Sequence, residues 1–389
     1  MPLRSSAARL AALLLGVLGA TPGMAGEFTD SAGRIIVVPD RISRVMAADQ
    51  AAAVLVYVLT PDKLVGWVQR PAGPLPKPHG ALPTYGELTG PNPTATPATV
   101  ARLRPDVIID AGPVTPDRAA FADQTTQATG IPYILLDNSF DRTPTMLRTV
   151  GRLLGVADRS DSLAQSAEHA INDLRGQLLI QSGTGRPRIY YGRGGNGLEA
   201  AVPGSEAAAA IENAGAINVA AALGPGAPPT VTRQQLQEWN PDIIIAEQRS
   251  FYAALLRDPA WRTLAAVRNK HVYLEPSQPF GWIDDPPGVN RLIGLYWLSI
   301  LLYPGNNEDD VRSLAQDLYS SFYGITLSDK EIDTIAKTAG IPQSDTPHLA
   351  DLPVGATGTA PTITEPGRNG LAPATPGMPT TTPSYLMPK

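Results

Sequence analysis

The sequence predicts an α/β fold of two similar lobes with central, mostly parallel sheets. Three observations predict it. Strand-like apolar runs alternate with helical patterns along most of the chain, as in βαβ units with right-handed crossovers. One phrase occurs twice, as TPATVARLRPDVIIDAG at 96–112 and TRQQLQEWNPDIIIAEQ at 232–248. Each copy reads as a short helix, a Pro-Asp and an apolar strand, and the copies lie much too far apart for a solenoid repeat. Between them, the stretch from about Asp141 to Leu179 carries no strand pattern and reads as one long or slightly broken helix, with Gly155 at the possible break.

In the first lobe, Thr29–Val38 predicts a β-hairpin with Ala32-Gly33 at its turn. Arg44–Ala47 is a short strand, Ala51–Leu59 a helix stopped by Thr60-Pro61, and Leu64–Val68 the next strand. A Pro-rich loop, 71–97, carries His79, Tyr85 and Glu87. Thr96 and Pro97 then open a helix as N-cap and first helical residue. Val107–Ile109 is a strand covered on both faces. Phe121–Thr129 is a helix ended by Gly130, and Tyr133–Leu136 the last strand.

The second lobe repeats this order. Arg188–Tyr191 is a strand, and Glu206–Asn213 a helix. Thr232 and Gln235 form a capping box, and Ile243–Ile245 and His271–Leu274 are strands. Pro286–Tyr303 is a strongly apolar helix, with Asp284 and Asp285 expected to cap it, and Asp309–Lys337 adds one or two more.

The two ends lie outside this fold. Residues 1–25 have a basic start at Arg4 and Arg9 and an apolar run too short to span a bilayer. Small residues follow at Gly23 and Ala25, the pattern of a cleaved secretory signal peptide. Residues 343–389 are crowded with Pro, Thr, Gly and Ala and predict disorder. The expected organisation is thus a signal peptide (1–25), an N-terminal lobe (26–140), a bridging helix (141–183), a C-terminal lobe with closing helices (184–342) and the tail.

Composition removes several function classes. A net charge of −5 gives no electrostatic footprint for nucleic acid. With no cysteine there is no disulfide, thiolate metal site, thiol nucleophile or lipoprotein anchor. The four His residues are scattered, so no bare-metal site is expected. Gly192–Gly197 matches GxGxxG after a strand, but Pro203 delays the helix that a dinucleotide site needs, so it reads as a flexible loop.

Four stretches carry a resemblance: TDSAGRIIVVPDRISRV (29–45), ARLRPDVIID (101–110), LQEWNPDIIIAE (236–247) and FGWIDDPPGVNRLIGLYWLSILLYP (280–304). With the central helix they cover nearly all of 27–340. The chain resembles a periplasmic substrate-binding protein of the iron-siderophore/cobalamin type, the receptor of an ABC importer. The resemblance implies two lobes bridged by a single long helix that limits hinge motion, with the ligand in a shallow cleft between them. It implies a soluble periplasmic monomer whose partners are a small-molecule metal chelate and an inner-membrane permease. It implies no catalytic residue and no cofactor, since any metal arrives within the cargo. The family docks on its permease through a Glu on each lobe, seven residues before each Pro. Here Ala98 and Gln234 occupy those positions.

Ligands of parallel α/β lobes meet the loops beyond the strand C-termini. These are 47–50, 67–70 and 110–113, with 138–140 behind them, and 192–196, 247–250 and 276–282. Trp67, Tyr85 and Trp282 are the aromatic candidates for a bulky chelate. Arg70, Arg193 and Arg249 follow three different strands and suit an anionic cargo such as a ferric siderophore, a haem propionate or an oxyanion. Tyr191 is the strand-end tyrosine expected at the cleft.

Overall fold

The computed structural model describes residues 26–90, 93–180, 185–303 and 308–340. The expected signal peptide and Pro/Thr-rich tail lie outside these residues. The chain opens with a hairpin of β1 (Gly26–Thr29) and β2 (Ile35–Val38). Asp30 shapes its turn by accepting from the backbone N–H groups of Ala32 and Arg34.

The first lobe follows as β3 (Val45–Ala47), α1 (Gln50–Leu59), α2 (Pro97–Leu103), β4 (Val107–Ala111), α3 (Pro116–Thr129) and β5 (Tyr133–Leu136). Its sheet is β3-β4-β5, all parallel. The expected strand at 64–68 is reduced to isolated bridges, Leu64 to Val45 and Trp67 to Thr84.

Two helices follow, α4 (Thr143–Leu153) and α5 (Ala157–Ile180). The break is Gly155, at φ 71°, a conformation that costs glycine little. α5 alone is about 36 Å long at 1.5 Å per residue. Its apolar stripe of Leu163, Ala167, Ala170, Ile171 and Leu174 is buried.

The second lobe comprises β6 (Arg188–Arg193), β7 (Glu199–Ala200), α6 (Glu206–Asn213), β8 (Ile217–Asn218), α7 (Arg233–Trp239), β9 (Ile243–Ala246), α8 (Arg249–Arg257), α9 (Ala265–Arg268) and β10 (Val272–Leu274). Here β6-β9-β10 is parallel and repeats β3-β4-β5; β7 adds antiparallel and β8 parallel on the other side of β6. Three helices close the fold: α10 (Arg291–Leu302), α11 (Glu308–Tyr323) and α12 (Asp329–Ala339). α10 begins well after Pro286, so Asp284 and Asp285 are not its caps; that position belongs to Asn290.

The repeated phrase is repeated geometry. Thr232 and Gln235 form the expected capping box, and at α2 the Thr96 N–H donates to Thr99 Oγ1 at 3.2 Å. Both helices end on a left-handed residue immediately before the Pro, Arg104 at φ 47° and Asn240 at φ 41°. Asp106 and Asp242 then accept the N–H groups of Arg44 and Arg188, tying each central strand to its neighbour at the sheet base.

Strand residues divide by period two. Val45, Ala47, Val107 and Ile109, with Ile189, Tyr191, Ile243 and Ile245, face one large core continuous through both lobes. Met46 and Ile108 face a smaller cluster on the far side of the first sheet, and Tyr190 and Ile244 a corresponding one in the second.

The lobes also touch directly. Trp67 packs on Tyr57 (5.4 Å between centroids) and on Phe280 (5.9 Å), and Phe280 packs on Tyr323 (5.5 Å). The Tyr57 hydroxyl donates to the Tyr323 carbonyl at 2.9 Å. Elsewhere the buried Arg291 guanidinium donates to the first lobe's Asn138 carbonyl and to Glu206 on α6.

Candidate ligand cleft

The first lobe's Pro-rich loop faces the C-terminal end of the second lobe's parallel sheet. There a cavity of about 370 Å³ is lined by Ala72 of the Pro-rich loop and, from the second lobe, by Glu247, Arg249, Ser250, Glu275 and Asp285 among others.

On the second-lobe side, β6 ends at Arg193 and β9 is followed by Glu247. Arg193 Nε lies 3.0 Å from Asp284 Oδ2 and 3.8 Å from Glu247 Oε1. Glu247 Oε2 accepts from the Gly194 N–H at 2.7 Å, which makes the glycine-rich loop part of the cleft rim. Ser250 fastens the same loop by donating to the Gly195 carbonyl at 2.9 Å. Arg249 is exposed at the first position of α8, and its side chain makes no hydrogen bond or ion pair with any described residue.

Glu275 lies directly beyond β10 and is buried. Its oxygens accept from the Tyr191 hydroxyl and the Ile283 N–H, each at 2.6 Å. Burial nevertheless pushes its carboxyl up to about 8, with Asp284 and Glu247 adding repulsion. Burial likewise raises Asp284 to about 6, against the pull of Arg193, and raises Glu247. Across the cleft, burial also raises Glu87, with the second lobe's Asp285 contributing.

At the C-terminal end of the first sheet, a separate polar cluster centres on Arg118, in the first turn of α3. Its Nη2 donates to Asp49 Oδ2 at 3.1 Å and to Asp110, which lies fully buried within β4. Asp49 is also the N-cap of α1, and the Tyr133 hydroxyl donates to Asp110 at 2.9 Å. The Arg118 guanidinium lies against Gly112, where any Cβ would collide with it. Burial, with Asp110 nearby, holds the Asp49 carboxyl well above the usual range.

Of the sequence-predicted residues, Arg193 and Arg249 stand at the cleft, and Arg70 is exposed on the loop leading to it. The aromatic candidates are placed otherwise. Trp67 is fully buried in the interlobe junction and donates to the His79 carbonyl. Trp282 is buried against Trp297 and donates to the Tyr319 hydroxyl at 3.0 Å. Tyr191 is fully buried, with its hydroxyl committed to Glu275. The Tyr85 hydroxyl donates to the Ala47 carbonyl and accepts the Ala47 N–H, both at 2.9 Å, pinning the Pro-rich loop to β3. For Trp67, Trp282 and Tyr191 the reason is common: a large ring gains more from core burial than from a wet cleft. His79 pairs instead with Asp62 at 2.8 Å.

Sequence reading missed Arg118, Glu275 and the part played by Asp284. Arg118 and Arg249 did leave a signal. Each is a cation in the first turn of a helix, where the macrodipole disfavours it, so something other than helix stability places it there.

Among the described residues no group of three His, Asp or Glu could hold a metal ion, and no helix is long and apolar enough to cross a membrane. Ala98 and Gln234 are both exposed, on α2 and α7.

Comparison with known proteins agrees with this architecture. Molybdate-binding protein MolA of Haemophilus influenzae is 34% identical over 116 residues, covering 29% of this chain and 32% of that protein, so the match spans about a third of the relative. An ABC transporter solute-binding protein from Sulfurospirillum deleyianum superposes with a TM-score of 0.73 at 25% identity, over 80% of this chain and 99% of the other. The structure of MolA bound to molybdate superposes with a TM-score of 0.64 at 21% identity, over 78% and 99%. The sequence profile of the periplasmic binding proteins matches residues 82–279, just over half of the chain, from the Pro-rich loop to the loop that carries Phe280. Two parallel-sheet lobes, a helical connection and a cleft at the strand ends are thus accounted for together: the chain belongs to the periplasmic binding protein family.

Proposed function

We propose that this protein is a periplasmic receptor that captures a compact anionic metal species, an oxyanion such as molybdate or a small anionic metal chelate, and delivers it to an ABC importer. The observation that carries this reading is the arginine set at the strand ends. Arg118 and Arg249 occupy the first turns of the helices that follow the two central strands, and Arg193 ends the neighbouring strand. Guanidinium groups beside helix N-termini match the charge and geometry of tetrahedral oxyanions. A polar cavity of about 370 Å³ with its aromatic neighbours withdrawn into the core favours a compact cargo over a macrocycle. MolA binds molybdate, which supports the same class. The mechanism is reversible capture between lobes that a shared core and junction hold at nearly fixed separation, with no chemical step. Isothermal titration of the mature protein with molybdate, tungstate, ferric siderophores, haem and cobalamin tests it. Saturable binding of one of the small anions is expected; binding of haem or cobalamin alone would replace this cargo class, and silence from all would overturn the receptor reading.

A second reading is favoured by the docking positions. Ala98 and Gln234 supply no carboxylate, and α2 instead exposes Arg102. On α7, Glu238 lies one turn from Gln234 and accepts its side-chain amide at 3.0 Å, so a carboxylate is available on that lobe. An exported protein that keeps the binding scaffold for sensing or storage accounts for the asymmetry. Crosslinking from α2 and α7 in intact cells separates the two, since only the importer reading gives adducts with a permease.

A further inference from the structure

Arg193 is held by one end only. Its Nε is 3.0 Å from Asp284 Oδ2, yet it makes no aligned hydrogen bond, and neither Nη group has a partner among the described residues. The side chains of Asp284 and Glu247 are 8% and 13% exposed, whereas that of Arg193 is 35% exposed. The acids lie beneath the arginine, which keeps its Nη edge free. The remaining charged and titratable groups around this pair are accounted for. Arg193 also faces Glu199 and Tyr191; Asp284 also faces Arg291 and Glu206; Glu247 also faces Asp285 and Glu199. Arg291 is occupied by Glu206 and the Asn138 carbonyl, and Glu275 by Tyr191 and Ile283. Asp284 is therefore the acid that most directly sets how much of the Arg193 charge a ligand meets.

We propose that Asp284 is a positioning residue that throttles Arg193: ionised, it anchors the Nε end and cancels the charge, and protonated, it releases that charge to the cargo, so that anion capture is coupled to uptake of one proton. The inference rests on the anionic-cargo reading above. Its direction follows from simple electrostatics, because an anion at the Nη edge is repelled by a carboxylate directly behind the arginine and not by a carboxylic acid. Burial already brings the Asp284 carboxyl to about 6, within reach of modest acidification.

The test has two arms on the full mature chain. In the first, molybdate affinity is measured between about pH 7.5 and about pH 5.5, where the charge of the probe is constant. If the protonated form is the competent one, its population governs the apparent affinity, which with a midpoint about 6 rises about 25-fold on acidification. Asp284→Asn binds as tightly at the upper pH as the wild type does at the lower and loses the slope, and Asp284→Glu restores it. A flat wild-type profile, or an Asp284→Asn protein that binds more weakly at every pH, overturns the proposal. The second arm needs no ligand: the Arg193 Nε–Hε resonance of arginine-labelled free protein is followed over the same range. Movement with a midpoint about 6, absent in Asp284→Asn, supports the coupling even if molybdate does not bind, in which case the cargo reading alone fails. A resonance that stays still in the wild type overturns the coupling whatever the protein binds.

Discussion

Arg118 and Arg249 are counterparts: each stands in the first turn of the helix that follows the central strand of its lobe, α3 after β4 and α8 after β9. The two differ in what already holds them. Arg118 is committed to Asp49 and Asp110, whereas Arg249 makes no ion pair among the described residues. The internal repeat thus places one preorganised arginine and one free arginine at the C-terminal ends of the two sheets.

Because Arg249 is exposed and unpaired, its removal leaves the fold intact. Arg249→Ala is expected to unfold at the wild-type denaturant midpoint. It is also expected to lose about 10- to 100-fold in anion affinity, the equivalent of one charge-assisted hydrogen-bond pair of about 1.5–3 kcal/mol. Calorimetric titration beside a urea melt checks both halves, and an unchanged affinity would remove Arg249 from the site.

Arg118 behaves differently. Truncation leaves Asp49 and the fully buried Asp110 without their cation. Removing one partner of a buried pair costs about 3–5 kcal/mol. Arg118→Ala is expected to show a lower urea midpoint before any ligand is added, and a loss confined to ligand affinity would contradict a structural role for the Arg118–Asp49–Asp110 cluster.

The sequence displayed the fold more clearly than the cleft, for an identifiable reason. Strands such as Val107–Ala111 and Ile243–Ala246 are continuous apolar runs ended by turn chemistry, and local pattern suffices to find them. Pro286 and Pro287 look like a helix entrance, but the chain runs through an irregular loop as far as Asn290, the N-cap of α10. At the cleft, position along a strand foretold which backbone reaches the rim but not which way a ring turns. Tyr191 lies near a strand end and Trp67 and Trp282 lie in loops, and all three turn inward, because partners distant in sequence, Glu275, Phe280 and Tyr319, receive them. Asp284 was legible as an acid before two prolines; its pairing with Arg193 was not, since it depends on how the 276–290 loop folds across the second lobe.

Stability should fall as pH rises through the neutral range. Glu275 titrates at about 8 in the fold against an ordinary 4.5, and Asp284 at about 6 against 3.8. Between the unfolded and folded values the native state binds more protons than the unfolded chain, so unfolding free energy decreases with pH. The contribution of Glu275 is complete below about 4.5 and is lost as pH passes about 8. Urea midpoints measured across that window should fall for the wild type and fall less steeply in Glu275→Gln, where Asp284 still contributes. A midpoint that rises towards pH 8 would mean that Glu275 is ionised without penalty.

The loop that carries the cleft acids is braced by one glycine. Gly294, in the first turn of α10, lies so close to the Trp282 carbonyl that a Cβ there would fall far inside contact distance of that backbone oxygen. A backbone carbonyl cannot rotate away as a side chain can, and Trp282 is itself locked against Trp297 and Tyr319. Gly294→Ala therefore has to displace the 276–290 loop or shift α10. Overpacking of this kind costs about 1–3 kcal/mol, more than the small gain in helix propensity offsets. Because Asp284 and Asp285 lie on the same loop, the loss should extend to the cleft. Anion affinity should fall together with the urea midpoint, and the slope of affinity against pH should weaken as Asp284 moves off Arg193. A variant with wild-type stability and wild-type affinity would show that the loop is not held by this contact.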